Sequence, residues 1–200
     1  MKTYPAAIEE LMLFLKQLPG VGKRGAERMV MDILDWEKSD IASFANAVLK
    51  IATDITFCPE CGNCAEHGQL CSICSDPRRD NTTLCVVETI PQLLAVESGG
   101  SYRGKYLVLG GKLSPLDGEN GENLNFDLLL KQSAKPELKE IILALSSDVE
   151  GRATMIYLTE LLKDFQGSLT RPAQGLPAGA NLSFADSATV AAAFSGRTVF

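Results

Sequence analysis

Cys58-Pro59-Glu60-Cys61, answered by Cys71-Ser72-Ile73-Cys74, stands between a helical first quarter and a remainder that alternates strands and helices. A Cys-x-x-Cys pair turns tightly enough for both thiolates to reach one ion. Two such knuckles supply the four soft ligands of tetrahedral zinc. All coordination positions are then protein atoms, which leaves no place for an activated water and makes the site architectural. Further donors lie nearby. Cys64 repeats the spacing after Cys61, and His67, the single histidine, falls between the knuckles. Two like knuckles closing symmetrically favour Cys58, Cys61, Cys71 and Cys74, with Cys64 a packed or free thiol and His67 a loop residue. Cys85, within Leu84-Cys85-Val86-Val87, reads as a small buried hydrophobe.

Composition narrows the classes. The 200 residues are 46% hydrophobic and 22% charged, as in an ordinary globular chain of one to three domains. No apolar run reaches the length of a membrane span. Met1-Lys2-Thr3-Tyr4-Pro5 lacks the apolar core of a secretory signal, so the expected compartment is a reducing cytosol. There, clustered cysteines take metal rather than form disulfides. The net charge of −6 argues against a uniformly basic nucleic-acid binder. Contact with DNA must then be local, weak per subunit, or strengthened by assembly.

Before the knuckles, Pro5 is placed to open a helix, and Ile8, Leu11, Met12, Leu15 and Leu18 form one apolar stripe. Leu18-Pro19-Gly20-Val21-Gly22 ends it. A second helix buries Ala26, Met29, Val30, Ile33 and Leu34. A third starts from a Ser39 cap and carries Ile41, Phe44, Ala45, Val48, Leu49, Ala52 and Ile55 at helical spacing.

Helix, Leu-Pro-Gly-Val-Gly, helix resembles the helix-hairpin-helix DNA-binding motif. Gly20 and Gly22 leave main-chain N–H groups uncovered for a phosphate, and the next helix adds its positive N-terminal end. Such contacts grip the backbone without reading sequence. Lys16, Lys23, Arg24 and Arg28 face Glu27 alone, a local positive excess on an acidic chain. The plainer reading is a tight interhelical turn with solvated cations. Asp76-Pro77-Arg78-Arg79-Asp80 likewise reads as a solvated linker with its arginines paired to flanking aspartates, or as a DNA or subunit contact.

After Thr83 the period changes. Strands are predicted at Leu84–Glu88, Lys105–Leu109, Glu140–Leu145 and Ser168–Thr170. Helices are predicted at Ile90–Glu97, Asn125–Ala134 and Val149–Gln166, with a glycine-rich loop over Gly110–Glu122. This order indicates a mainly parallel sheet covered on both faces. Function in such sheets gathers at strand carboxyl ends. Glu88, Asp148 and Glu150 fall there and could hold Mg²⁺ through oxygen ligands and waters. Alternatively, Asp148 caps the following helix and Glu150 favours its first turn.

Taken together, Leu18-Pro-Gly-Val-Gly22, the paired knuckles, Val86-Val87-Glu88, Leu113-Ser114-Pro115-Leu116-Asp117-Gly118 and Gly175-Leu176-Pro177 resemble the RecR recombination-mediator family along essentially the whole chain. The resemblance implies a multidomain α plus α/β protein. Its expected parts are a helix-hairpin-helix module (1–56), a four-cysteine zinc finger (57–77), a Toprim parallel-sheet α/β domain (80–175) and a C-terminal segment (176–200), helical from Ser187 and used in assembly. It also implies a tetrameric ring around DNA, acting with RecO- and RecF-type partners in recombinational repair in the bacterial cytoplasm, at the nucleoid. By position, Lys23, Arg24 and Arg28 become the DNA contacts, the four preferred cysteines match the zinc ligands, and Glu88 matches the Toprim glutamate. The acidic turn departs from the family pattern. Ser146-Ser147-Asp148-Val149-Glu150-Gly151-Arg152 has serine at its first position and a cation in place of its last acid, which should weaken a divalent-ion site. Lys23 stands where proline is common.

The leading expectation is therefore a non-catalytic DNA-binding mediator with one structural zinc. A Mg²⁺-dependent Toprim nuclease or topoisomerase-like enzyme is the second reading. A zinc-stabilised adaptor without DNA affinity is the third.

Overall fold

Four hydrophobic residues in succession, Leu84-Cys85-Val86-Val87, end the strand on which the larger part of the protein is built. The computed structural model describes residues 4–114, 121 and 123–197. Met1–Thr3, the Pro115–Gly118 part of the quoted motif, and most of the Gly110–Glu122 loop lie outside the described residues. The chain divides into two compact units, Met1–Ile55 and Thr56–Phe200.

In the first unit, α1 (Ala6–Leu15) and α2 (Lys23–Leu34) pack through Met12, Ala26 and Val30, with Ile8, Leu11, Leu15 and Val21 around them. Leu18 and Leu34, expected on the buried stripes, are exposed at the helix ends. The third helix, α3 (Lys38–Asp54), begins after Glu37 rather than from a Ser39 cap. None of its residues is buried. Phe44, Val48, Leu49 and Ile51 form an open apolar row, with Trp36 edge-on to Phe44 at 5.8 Å. Helical spacing identifies such a face but says nothing of what covers it.

The second unit holds a parallel sheet of order β4-β3-β5-β6: β3 (Asp80–Val87), β4 (Gly104–Val108), β5 (Glu140–Leu143) and β6 (Ser168–Thr170). Val86 is paired with Leu107 on one side and Leu143 on the other, and Ile141 with Leu169. Helices α5 (Ile90–Ser98), α6 (Phe126–Ser133) and α7 (Val149–Leu161) supply the crossovers that parallel strands need. The strand β3 begins earlier than its apolar run, and α7 stops short of Gln166.

Because side chains alternate along a strand, β3 serves two cores. Leu84 and Val86 join Leu107, Leu109, Leu129, Ile141, Leu143 and Leu158. Cys85 and Val87 join Leu93, Tyr106 and Val108 on the other face, together with Cys58, Cys61 and Cys71. Burial pushes the Cys85 thiol up to about 11, as for a packed hydrophobe. The cysteine module thus packs against one face of the sheet. It contains β1 (Ile55–Phe57), β2 (Cys64–Glu66) and the one-turn α4 (Ser72–Ser75). Beyond the sheet follow a 3₁₀ turn at Leu182–Phe184 and α8 (Ser187–Ser195). Among the described residues no helix is long and apolar enough to cross a membrane.

The two linker arginines differ. Arg78 pairs with Asp76 at 2.9 Å and stays in solvent. Arg79, contrary to the flanking-aspartate expectation, forks onto Glu97 at 2.8 and 2.5 Å and reaches the Gly104 carbonyl at 3.3 Å. That fork ties β3, α5 and β4 together and takes Arg79 away from any phosphate. The Arg79 guanidinium holds the Glu97 carboxyl below its ordinary value of 4.5. A carboxyl lowered by folding contributes fully above the unfolded value, and its contribution fades as pH falls through the lowered one. Glu97→Gln should therefore cost about 1–3 kcal/mol at neutral pH. In urea melts, wild type and variant should converge in acid. A gap that persists there would contradict the assignment.

Candidate metal centre and nucleic-acid interface

Each knuckle is built by its own backbone. Cys58 N–H donates to the Asn63 carbonyl at 2.7 Å, and Gly62 N–H returns to the Cys58 carbonyl at 2.8 Å. Gly62 takes φ +73°, and a Cβ there would meet the Asn125 amide at 2.8 Å and the Val108 carbonyl at 2.9 Å, so only glycine closes this turn. On the second knuckle Cys71 caps α4, its sulfur accepting from Cys74 N–H at 3.5 Å. Cys58 Sγ accepts from Cys71 N–H at the same distance. Donors aimed at sulfur favour the thiolate.

The Sγ atoms of Cys58, Cys61, Cys71 and Cys74 all lie within 4.8 Å of one another, and Cys61 and Cys71 are 3.5 Å apart. A tetrahedron with zinc–sulfur bonds has edges of about 3.8 Å, so these thiols fit around one ion with small adjustments. Their mutual bonding holds the Cys71 thiol low and pushes Cys61 up. Four thiolates so close need a cation between them. The first three cysteines are buried, while Cys64 and His67 are exposed and outside the group. The donor set suits a closed structural site with no catalytic position.

The module is fastened to the sheet by polar groups that the sequence does not single out. Val108 N–H donates to the Cys61 carbonyl at 2.7 Å. The Lys105 ammonium donates to the Ile73 and Cys74 carbonyls at 3.2 and 3.1 Å. Gln132 of α6 reaches the Glu60 carbonyl at 2.6 Å, and Lys135, just past the end of α6, reaches the Glu60 carboxylate at 2.9 Å.

In the first unit, Gly20 takes φ +77° with open space where a side chain would be, and Gly22 is the extended residue before α2. No side chain caps α2, and its first turn carries no acid. Its leading N–H groups thus lack an intrahelical partner and have no capping side chain. Gly20, Gly22, Lys23, Arg24 and Arg28 are all exposed, and Arg28 stands one turn after Arg24. Among the described residues none of these cations is in an ion pair. Glu27, the local acid, accepts from the Tyr4 hydroxyl at 2.5 Å.

The three acids of the second unit do not converge as a set of free oxygens. Glu88 is 4% exposed. Its Oε1 accepts from Ser146 N–H at 2.6 Å, and its Oε2 accepts from the Ser146 hydroxyl and the Gln92 amide, both at 2.8 Å. It joins the ends of β3 and β5. Asp148 caps α7, its Oδ1 accepting from Gly151 N–H at 2.7 Å. Gly151 is required because a Cβ would come within 2.1 Å of the Ser146 carbonyl. Asp148 Oδ2 and Glu150 Oε2 both receive the Lys112 ammonium, at 2.6 and 3.1 Å. The Lys112 ammonium bonded to it holds the Asp148 carboxyl below its usual range. Lys112, Gln92 and Ser146 carry this cluster; Ser146 is noted in the sequence only as a departure from the family turn, and Lys112 and Gln92 do not stand out there. The available signal is a cation four residues past the end of the buried strand β4.

Comparison with known proteins bears on both regions. Residues 82–172 match the Toprim domain family, residues 8–52 the family described as RecR, helix-hairpin-helix, and residues 175–198 that described as RecR, C-terminal. The chain is 42% identical over 194 residues to the Recombination protein RecR of Acidothermus cellulolyticus, covering 97% of each. It is 38% identical over 195 residues to that of Staphylococcus saprophyticus, covering 98% of each. With the Thermobifida fusca protein of the same name it shares 41% over 194 residues, again 97% of each.

Proposed function

We propose, on the premise that this chain belongs to the RecR family of recombination proteins, that it is a non-catalytic, DNA-binding mediator of recombinational repair. One zinc ion per chain, held by Cys58, Cys61, Cys71 and Cys74, is structural. DNA is gripped without sequence preference by Gly20, Gly22, Lys23, Arg24 and Arg28, and the working form is a tetrameric ring acting with RecO- and RecF-type proteins at the bacterial nucleoid. The observation that carries this reading is the uncapped start of α2 beside three exposed cations, a place where backbone amides and side chains suit the same phosphate.

Assembly reconciles that grip with an acidic chain, since a few weak contacts per subunit multiply through effective concentration. The open row Phe44, Val48, Leu49 and Ile51 on α3 supports association, because an apolar stripe of that length calls for a partner. Fluorescence anisotropy with labelled single- and double-stranded oligonucleotides, joined to mass measurement in solution, tests the reading. Salt-sensitive binding by an oligomer is expected. A monomer indifferent to DNA in dilute buffer would remove it. The enzyme alternative is tested on supercoiled plasmid with Mg²⁺ or Mn²⁺, against Glu88→Gln. No nicking or relaxation is expected from either protein.

A further inference from the structure

The Lys112 ammonium sits against two of the three acids that a divalent ion would need, Asp148 and Glu150. The remaining oxygens of this pair are also engaged, Asp148 Oδ1 by Gly151 N–H and Glu150 Oε1 by the Ser114 hydroxyl at 3.1 Å. Glu88 is buried and bonded at both oxygens. Nor does the turn supply a further acid, since position 152 is arginine, whose guanidinium bonds the Ser147 carbonyl at 2.9 Å. Mg²⁺ demands near-octahedral oxygen ligands at about 2.0–2.1 Å and sheds its waters reluctantly. Here it would have to displace an ammonium already between two carboxylates, and its own charge would oppose that ammonium at close range.

We infer that Lys112 takes, in this chain, the place a divalent cation would hold between Asp148 and Glu150, so that this domain excludes Mg²⁺ and is closed by its own side chain. The consequence is positional as well as chemical. Lys112, Leu113 and Ser114 each bond α7: Lys112 through the two acids, Leu113 N–H to the Thr154 hydroxyl at 2.9 Å, and Ser114 to Glu150. The segment leaving β4 is thereby latched to the start of α7 without a metal. This inference rests on the Toprim match and is independent of the DNA contacts, which belong to the other unit.

Mn²⁺ is the probe, with its free concentration followed by electron paramagnetic resonance during titration of the full-length, zinc-loaded protein. Wild type is expected to bind none at this pair through the millimolar range typical of weak sites. Lys112→Ala should bind Mn²⁺ at least about ten-fold tighter than the millimolar limit set by wild type, and adding Asp148→Asn should abolish the gain. Lys112→Arg should keep the block, because it keeps the charge. Wild-type Mn²⁺ binding that disappears in Asp148→Asn overturns the inference, as does a folded Lys112→Ala protein no better than wild type. DNA affinity measured on the same samples keeps the two readings apart, since loss of the mediator proposal would leave the Mn²⁺ result standing.

Discussion

Cys74→Ala protein will be purified without zinc, and its metal module will be unfolded. The magnitude follows from how little else holds that module. Its strands are three residues each and its helix a single turn, too short to be stable by themselves. Apparent zinc-binding energies in comparable peptides run ~10–16 kcal/mol, more than the whole stability of many domains. Three of the four thiols also lie in the core shared with Cys85, Val87 and Tyr106, so the loss reaches the sheet. Metal analysis together with amide hydrogen exchange reads the effect, with protection expected to vanish from residues 58–74 and to fall at Val108. Cys64→Ala, at an exposed position outside the cluster, should keep its metal and its protection. A folded, metal-free Cys74→Ala protein with unchanged exchange would refute the architectural role of zinc.

Reversing two charges at the start of α2 should have the second largest effect. Lys23→Glu with Arg24→Glu replaces two exposed cations by anions where a phosphate would approach uncapped N–H groups. Every phosphate no longer neutralised should lower the slope of log affinity against log salt by about 0.7–0.9. In a multivalent assembly these decrements multiply across subunits. The expectation is at least ~100-fold weaker binding at low salt, with zinc content and oligomer mass unchanged. Neither side chain makes an ion pair among the described residues, so the substitution should leave the fold in place. Unaltered affinity in dilute buffer would move the DNA contact elsewhere.

Short-range chemistry is the most legible part of this chain. Cys-x-x-Cys spacing determines which sulfurs can meet, and Cys58, Cys61, Cys71 and Cys74 do meet. Continuous apolar runs at residues 84–87 and 141–143 mark strands buried on both faces, and both strands lie inside the parallel sheet. Less is visible where a partner lies far along the chain. Asp80–Thr83 are polar, yet β3 begins there because Asp80 meets Gly104 of β4 and Thr83 meets Glu140 of β5, with the register against β4 shifting between Asp80 and Leu84. Glu97 and Arg79 are separated by the whole of β3 and most of α5, so flanking aspartates are the nearer choice along the sequence. Lys112 reads as one cation in a glycine-rich stretch until folding brings α7 beside it. Periodicity on α3 marks a face, but no local signal tells whether a face is covered within its own unit.

The hydrogen bond from Val108 N–H to the Cys61 carbonyl has a further consequence. β4 is an outermost strand of the sheet, and that N–H points away from β3, so the knuckle shields part of a row of backbone groups that would otherwise recruit a foreign strand. Chelation should therefore do more than loosen a loop. It should make the stripped protein sticky, prone to intermolecular β-pairing and precipitation, so that an ion held by the four cysteines would also guard against aggregation.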